Sequence, residues 1–128
     1  MIYLWSRAYS GYVALGSGDL SNARDIFNQT AQSFRKDQNT IGVVYMLEGM
    51  ASIYIALRKP ELAAQLIGWA DGTRERIINE RPFLEQVDVD KNIAAIMAKI
   101  GSSAFEVAYD DGRGMSMDDA MELALKEG

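Results

Sequence analysis

Three oxygen-bearing side chains have the spacing of calcium ligands. Asp88, Asp90 and Asn92 occupy the first, third and fifth positions of a calcium-binding loop, in which alternate residues surround the ion. The remainder of the loop is missing, because Ile93 stands where glycine permits the sharp turn and Lys99 replaces the glutamate of the twelfth position. We therefore predict no calcium site and interpret the segment as the acidic start of a helix, which the helix dipole favours.

Other groups of residues spell catalytic or phosphate-binding motifs incompletely. Gly16-Ser17-Gly18 begins like a dinucleotide-binding loop, but no strand precedes it and Ser21 stands at the third glycine position. Ser33-Phe34-Arg35-Lys36 has the spacing of an acyl-enzyme motif without its companion motifs. Carboxylates flank Gly112-Arg113-Gly114, but no partner converges on them. These carboxylates are Asp110, Asp111, Asp118, Asp119 and Glu122. We predict that Gly16-Ser17-Gly18 connects two helices and that the serine motif is a chance match. We also predict that the carboxylates lie at solvated helix ends.

Histidine and cysteine are both absent from the 128 residues. The commonest general base, the commonest transition-metal ligand and the usual thiolate nucleophile are therefore missing, which removes most hydrolytic and zinc chemistry. The net charge of −5 repels nucleic acid and anionic membranes. We expect a protein that is not an enzyme, binds no cofactor or metal, and makes no direct contact with nucleic acid.

The hydropathy pattern contains no run of 18 apolar residues. The start of the chain also lacks the basic segment and the cleavage site of a signal peptide. We therefore expect a cytoplasmic location and no contact with a membrane.

A local group of arginines interrupts the acidic balance in the second half of the chain. Glutamates alternate with these arginines and cancel most of their field. We predict a solvated face there, made of Arg74, Arg76 and Arg81 together with Glu75, Glu80 and Glu85.

Helices must position any site, because apolar residues recur every three or four positions along the chain. The blocks begin near Leu4, Leu20, Val44, Ala63, Val89, Ala104 and Met117. Pro60 and Pro82 stand where helical turns can begin, whereas Gly16-Ser17-Gly18 and Gly101 stand at helix ends. Ser116 is the predicted N-cap of the last helix. We predict an all-α fold of about seven helices.

An internal repeat with a period of 40 residues relates the first four helices. Small residues pair with small ones and large with large, as in Gly11 with Ala51, Ala23 with Ala63, Ile26 with Leu66 and Phe27 with Ile67. The small residues allow the helices of a hairpin to approach closely, and the large residues fill the space below them. We predict antiparallel helical hairpins that stack on one another.

These hairpins resemble tetratricopeptide repeats, whose second helix carries alanine followed four residues later by a large residue. In this chain, the alanine and the large residue are Ala23 and Phe27 in the first hairpin, and Ala63 and Ile67 in the second. Residues 50–54 fit the first helix of a repeat. The resemblance implies a short solenoid with a C-terminal helical cap in a single domain over 1–128. The first repeat is expected at about 1–38, the second repeat at about 39–80, and the C-terminal capping helices at about 83–128.

A narrower resemblance covers residues 47–51, 61–70, 104–109 and 112–120. These segments are similar to the carboxy-terminal region of large bacterial signalling proteins. In that family, a LuxR-type or winged-helix DNA-binding domain, or a nucleotide cyclase, precedes a signal-transducing ATPase and a tail of tetratricopeptide type. The resemblance implies that the chain is a fragment of a longer transcriptional or signalling regulator, and that it is a non-catalytic module of it.

The first helix of each tetratricopeptide hairpin lines a concave groove, so the resemblance places a partner-binding groove at Trp5, Tyr9, Tyr12, Tyr45, Glu48 and Ser52. Tryptophan and tyrosine suit recognition because they bury large areas and keep a polar group. We expect a protein or peptide partner, or a small effector ligand. The alternative is that these aromatic residues seal one hairpin against the next, in a structural cap that serves oligomerisation.

The first helix begins without a preceding turn, since Tyr3, Leu4 and Trp5 are already apolar. A solenoid that is cut inside its array exposes the face that the preceding repeat covers. We therefore predict a homodimer that forms through the N-terminal helix, at the Trp5 end.

Overall fold

The computed structural model describes residues 2–126, which form six helices and no strand. The helices are α1 (Ile2–Gly16), α2 (Leu20–Lys36), α3 (Thr40–Ala56), α4 (Pro60–Ile77), α5 (Phe83–Arg113) and α6 (Met117–Lys126). The all-α prediction is confirmed. Met1, Glu127 and Gly128 lie outside the described residues, and so do the two ends of the predicted domain.

The difference between six helices and the predicted seven lies at Gly101. This glycine has φ 84° and ψ 161°, which is not a helical conformation, yet helical backbone continues on both sides within α5. The glycine therefore marks a break, as predicted, but the break is a kink inside one long element. Two further predicted helix ends are confirmed, because Pro60 begins α4 and the Ser116 hydroxyl accepts a hydrogen bond from the Asp119 amide at 3.1 Å.

The four turns after α1, α2, α3 and α4 share one geometry. A residue with positive φ recurs every 20 positions, at Gly18, Gln38, Arg58 and Ile78. In each turn the amide of the next residue donates to the carbonyl five positions earlier, as from Asn39 to Phe34 at 2.8 Å. This is the hydrogen bond of the Schellman motif, which ends a helix and reverses the chain. The turns therefore impose a regular succession of helices of nearly equal length.

Each of the helices α1 to α4 packs against the next helix along the chain, and α3 also contacts both α1 and α5. The last helix, α6, packs on α4 and α3. The result is a stack of helical hairpins with one continuous hydrophobic core. Among the described residues, no helix has both the length and the apolar character to cross a membrane.

The packing role predicted for Gly11 is confirmed. A Cβ atom at Gly11 would lie 2.5 Å from Cε1 of Phe27, and one at Gly49 would lie 2.6 Å from the opposite edge of the same ring. Phe27 is fully buried between the two glycines. The aromatic ring therefore fills the space that the missing side chains leave, and it joins α2 to α1 and α3.

Candidate functional site

A cavity of about 730 Å³ lies between α1, α3 and the first part of α5. Its walls include all six residues of the predicted groove, Trp5, Tyr9, Tyr12, Tyr45, Glu48 and Ser52. The wall from α5 adds residues that the sequence did not place there, namely Glu85, Asp88, Val89, Lys91 and Asn92. The volume falls within the usual range of sites for small organic ligands.

The aromatic residues of the cavity also pack against each other and the core. The rings of Trp5 and Tyr45 meet nearly at right angles, with centroids 5.5 Å apart, and the Trp5 ring lies 4.9 Å from that of Phe34. Tyr12 makes an edge contact with Phe27 at 4.9 Å. Tyr9, in contrast, is 69% exposed. Three of the aromatic residues therefore form a fixed wall, and Tyr9 lies at the solvent side of the cavity.

Trp5 does not lie on the exposed face that the homodimer prediction assigned to it. Its ring is half-buried against Phe34 and Tyr45. The large apolar residues that α1 exposes are Tyr3, Tyr9 and Val13, at 70%, 69% and 72%. A dimer through α1 would use those residues, and replacing Trp5 would disturb the core as well.

Hydrogen bonds attach the α5 wall of the cavity to α3. The Tyr45 hydroxyl donates to the Glu85 carboxylate at 3.2 Å, and the Asn92 side-chain amide donates to the Ser52 hydroxyl at 2.9 Å. Burial raises the pKa of Tyr45, and the charge of Glu85 raises it further. The phenol therefore stays protonated and remains a hydrogen-bond donor to Glu85.

Tyr12 is held by its own hydrogen bond. Its hydroxyl donates to the backbone carbonyl of Tyr45. Burial raises the pKa of Tyr12 well above its ordinary value, and the charge of Glu48 adds to this effect. The Tyr12 phenol is thus a neutral group that links α1 to α3 at the floor of the cavity.

Glu48 lies at the inner end of the cavity and binds two arginines. Its carboxylate accepts hydrogen bonds from Arg74 Nε at 3.0 Å and Arg74 Nη2 at 2.9 Å, which is a bidentate pair. Arg81 Nε donates to the same carboxylate at 2.9 Å. The three side chains are between 3% and 8% exposed. This pattern is a buried ion cluster that involves α3, α4 and the connection before α5.

The prediction of a solvated arginine face is therefore wrong for Arg74 and Arg81. Both point inward because Glu48, 26 and 33 residues away in the sequence, offers a buried carboxylate. The prediction holds for Arg76, Glu75 and Glu80, which are exposed, but not for Glu85, which is half-buried in the cavity wall. Alternation of charge along the sequence gave no indication of a partner on another helix.

Asp71 extends the cluster and balances its charge. It accepts a hydrogen bond from Arg81 Nη2 at 2.7 Å and another from the Tyr109 hydroxyl at 2.6 Å. Two carboxylates thus face two guanidinium groups in Glu48, Asp71, Arg74 and Arg81. Hydrogen bonds to Glu48 raise the pKa of Arg74 although burial alone lowers it, so the guanidinium stays charged. The cluster fixes the inner wall of the cavity.

Within residues 2–126, no group of three or more acidic residues is arranged to hold a metal ion. Asp88, Asp90 and Asn92 lie in the helical part of α5 that precedes the kink at Gly101. Helical backbone cannot fold around an ion as a calcium loop does.

Tyr109 makes the stability of the fold sensitive to alkaline pH. Burial, followed by the hydrogen bond and the charge of Asp71, raises its pKa from 10.0 to about 12. The protonated phenol is favoured in the folded state, so its contribution is complete below pH 10 and is lost as pH rises towards 12. We expect Tyr109→Phe to lose less stability than wild type between about pH 10 and about pH 12, in urea unfolding. Equal losses in the two proteins would contradict the assignment; Tyr3→Phe, at an exposed position, serves as the control.

Comparison of the chain with protein-family models, with curated protein sequences and with solved structures finds no significant match.

Proposed function

We propose that the chain is a recognition module that binds a small organic ligand, or a side chain of a peptide, in the cavity between α1, α3 and α5. The observation that carries the proposal is the cavity itself, with about 730 Å³ of space behind an aromatic wall. Sites of this size, largely apolar and with a few convergent polar groups, are typical of ligand binding. The fixed positions of Trp5, Tyr12 and Tyr45 favour the proposal, since a rigid wall loses little entropy when a ligand binds.

The proposed activity is binding without catalysis. The sequence has no histidine or cysteine, and so lacks the residues that most often act as general base or nucleophile. The resemblance of residues 47–51 and 112–120 to bacterial signalling regulators supports a role in which the bound ligand signals to an effector domain. This part of the proposal depends on the sequence resemblance alone.

Ligand-observed NMR with a library of small aromatic fragments tests the proposal. We expect hits whose binding shifts backbone amide signals in α1, α3 and the first part of α5. Tyr9→Ala removes an aromatic ring at the solvent side of the cavity and should weaken these hits about 3- to 10-fold, the effect of losing one aromatic contact. Val13→Ala is the matched control, because Val13 is 72% exposed on α1 and does not line the cavity. Hits that map elsewhere, or an equal effect of both variants, would contradict the proposal.

A second candidate function is oligomerisation through α1, which is favoured by the exposure of Tyr3, Tyr9 and Val13 on one helix. Tyr9 and Val13 lie four positions apart and so share one face of α1, and exposed apolar residues that share a face often mark contacts with another protein. Under this alternative, Val13→Glu would convert a dimer into a monomer in sedimentation experiments. Fragment binding in the cavity would then be absent or unaffected by Tyr9→Ala.

A further inference from the structure

We infer that the cavity takes an organic cation, a molecule with an apolar body and one ammonium group that lies against Glu85. This inference rests on the proposed function, since it names the chemical class of the ligand in the same cavity. Three features of the cavity support it: the charge of its lining, the partners of Glu85, and the aromatic wall.

The ionisable lining of the cavity has an excess of negative charge. Glu48, Glu85, Asp88 and Lys91 are its charged residues. The charge of Glu48 is already balanced, because this carboxylate binds Arg74 and Arg81 behind the cavity. Glu85 and Asp88 then face a single lysine. A cationic ligand would bring this lining to neutrality, whereas an anionic ligand would add to the repulsion.

Glu85 is the carboxylate that is best placed to bind the ligand. Its side chain is half-buried, and its hydrogen-bond partner is the neutral phenol of Tyr45 at 3.2 Å. Among residues 2–126, no arginine or lysine forms an ion pair with it. A carboxylate that is partly removed from water and lacks a counter-ion gains from a cation within hydrogen-bond distance. Glu48 and Asp71 have arginine partners, and Asp88 is exposed to solvent, which leaves Glu85 as the half-buried carboxylate of the cavity without a counter-ion.

The aromatic wall suits the same ligand. A cation is attracted to the faces of tryptophan and tyrosine rings, most strongly to tryptophan. The ring of Tyr45 already binds one cation, since Arg74 Cζ lies 5.0 Å from its centroid. The ligand's ammonium group is therefore expected near Glu85 and the ring of Trp5, which meets Tyr45 at 83°. Its apolar body would contact Tyr9, Leu15 and Val89 in the remaining space.

The test compares three probes that share one skeleton and differ in charge: 4-phenylbutylamine, 4-phenylbutan-1-ol and 4-phenylbutanoate. Dissociation constants are measured by shifts of backbone amide signals on the full chain. We expect the amine to bind at least about 10-fold more tightly than the alcohol, and the carboxylate to bind most weakly. Glu85→Gln should reduce the affinity for the amine to about that for the alcohol, and should leave the alcohol unchanged.

Glu106→Gln is the matched control, because Glu106 is exposed on the same helix and does not line the cavity. It should keep the preference for the amine. Equal binding of the three probes in the cavity, or the same preference in Glu85→Gln, would overturn the inference and leave the proposed function standing. Failure of all three probes to shift cavity residues would also overturn the inference. The proposed function is then judged separately, by the fragment library and Tyr9→Ala.

Discussion

Replacing Glu48 with glutamine is expected to lower the free energy of unfolding by about 3 to 5 kcal/mol, the usual cost of breaking a buried ion pair from one side. The carboxylate accepts hydrogen bonds from both Arg74 and Arg81, and all three side chains are less than a tenth exposed. Glutamine keeps the size of the side chain but removes its charge. Two buried guanidinium groups would then share the single carboxylate of Asp71, and one positive charge would lack a partner.

Glu75→Gln provides the matched control for this prediction. Glu75 also forms a bidentate pair with an arginine, Arg113, at 2.6 and 3.1 Å, but its side chain is 64% exposed. Exposed pairs contribute little to stability because water screens both charges. Chemical denaturation of the two variants measures the difference in free energy of unfolding. The slope of this free energy against denaturant concentration should be equal in the two variants. Similar small losses for both substitutions would show that the Glu48 cluster is solvated.

A second variant separates two effects on stability, that of the unpaired positive charge and that of lost side-chain packing. Adding Arg74→Met to Glu48→Gln removes the unpaired positive charge and leaves Arg81 with Asp71 at 2.7 Å. We expect the double variant to be more stable than Glu48→Gln alone by about 1 to 2 kcal/mol, within the range of coupling between contacting residues. A double variant that is less stable than Glu48→Gln would mean that the arginine side chain contributes mainly by packing.

The cluster also determines which substitutions can test ligand binding. Glu48 lines the cavity, but its carboxylate is held by Arg74 and Arg81, so its removal would alter the fold before it altered a ligand contact. Substitutions at Tyr9 and Glu85 avoid this problem, because Tyr9 is mostly exposed and Glu85 binds only a neutral phenol. Loss of binding in those variants therefore reports on the site itself.

The sequence predicted the parts of the fold that depend on local spacing. The helices follow from apolar residues every three or four positions, and the contact of Gly11 with Phe27 follows from a small residue at a repeated position. The sequence indicated only one of the four left-handed turn residues, Gly18. Gln38 and Arg58 adopt the same conformation because the hydrogen bond that ends α2 and α3 and reverses the chain requires a left-handed residue there, at a cost of about 1 to 2 kcal/mol each.

Only the part of the site that depends on local spacing was predicted from the sequence. The groove residues of α1 and α3 follow a helical spacing, and the structure places them around one cavity. The contribution of α5 was not predicted, because Glu85 and Asn92 reach the cavity only through packing between elements that are distant in the sequence. In the sequence, however, Arg74 has the helical spacing of the apolar residues Ala70 and Ile77, which places it on the apolar face of the predicted helix. A charged residue at a core position was the available signal that a buried partner existed.

Gly112 of α5 lies directly against the backbone of α4, and Gly112→Ala tests how much the fold depends on this close contact. A Cβ atom at Gly112 would lie 1.9 Å from the backbone oxygen of Gln65. The reciprocal contact is similar, since a Cβ atom at Gly68 would lie 2.1 Å from the backbone oxygen of Tyr109. Both obstacles are backbone atoms, so rotation of a side chain cannot relieve them. The two helices would have to separate.

We expect Gly112→Ala to lower the free energy of unfolding by about 3 kcal/mol, at the upper end of the cost of overpacking. This loss exceeds the gain of about 1 kcal/mol that alanine brings to a helix interior. Gly114→Ala is the control two positions away, where the nearest atom to a new Cβ is 3.7 Å distant and the backbone is helical. It should change stability by less than about 0.5 kcal/mol.

The double variant with Gly68→Ala gives the sharper result. If each substitution forces α4 and α5 apart at the same crossing, the separation caused by the first makes room for the second. The combined loss measured by chemical denaturation should then be smaller than the sum of the two single losses by about 1 kcal/mol or more. Strictly additive losses would mean that the two glycines act independently, and a stable Gly112→Ala would mean that the backbones do not approach so closely. Gly112 begins the segment of residues 112–120 that carries the narrower resemblance, so a large, coupled effect would give that segment a packing reason for its glycine.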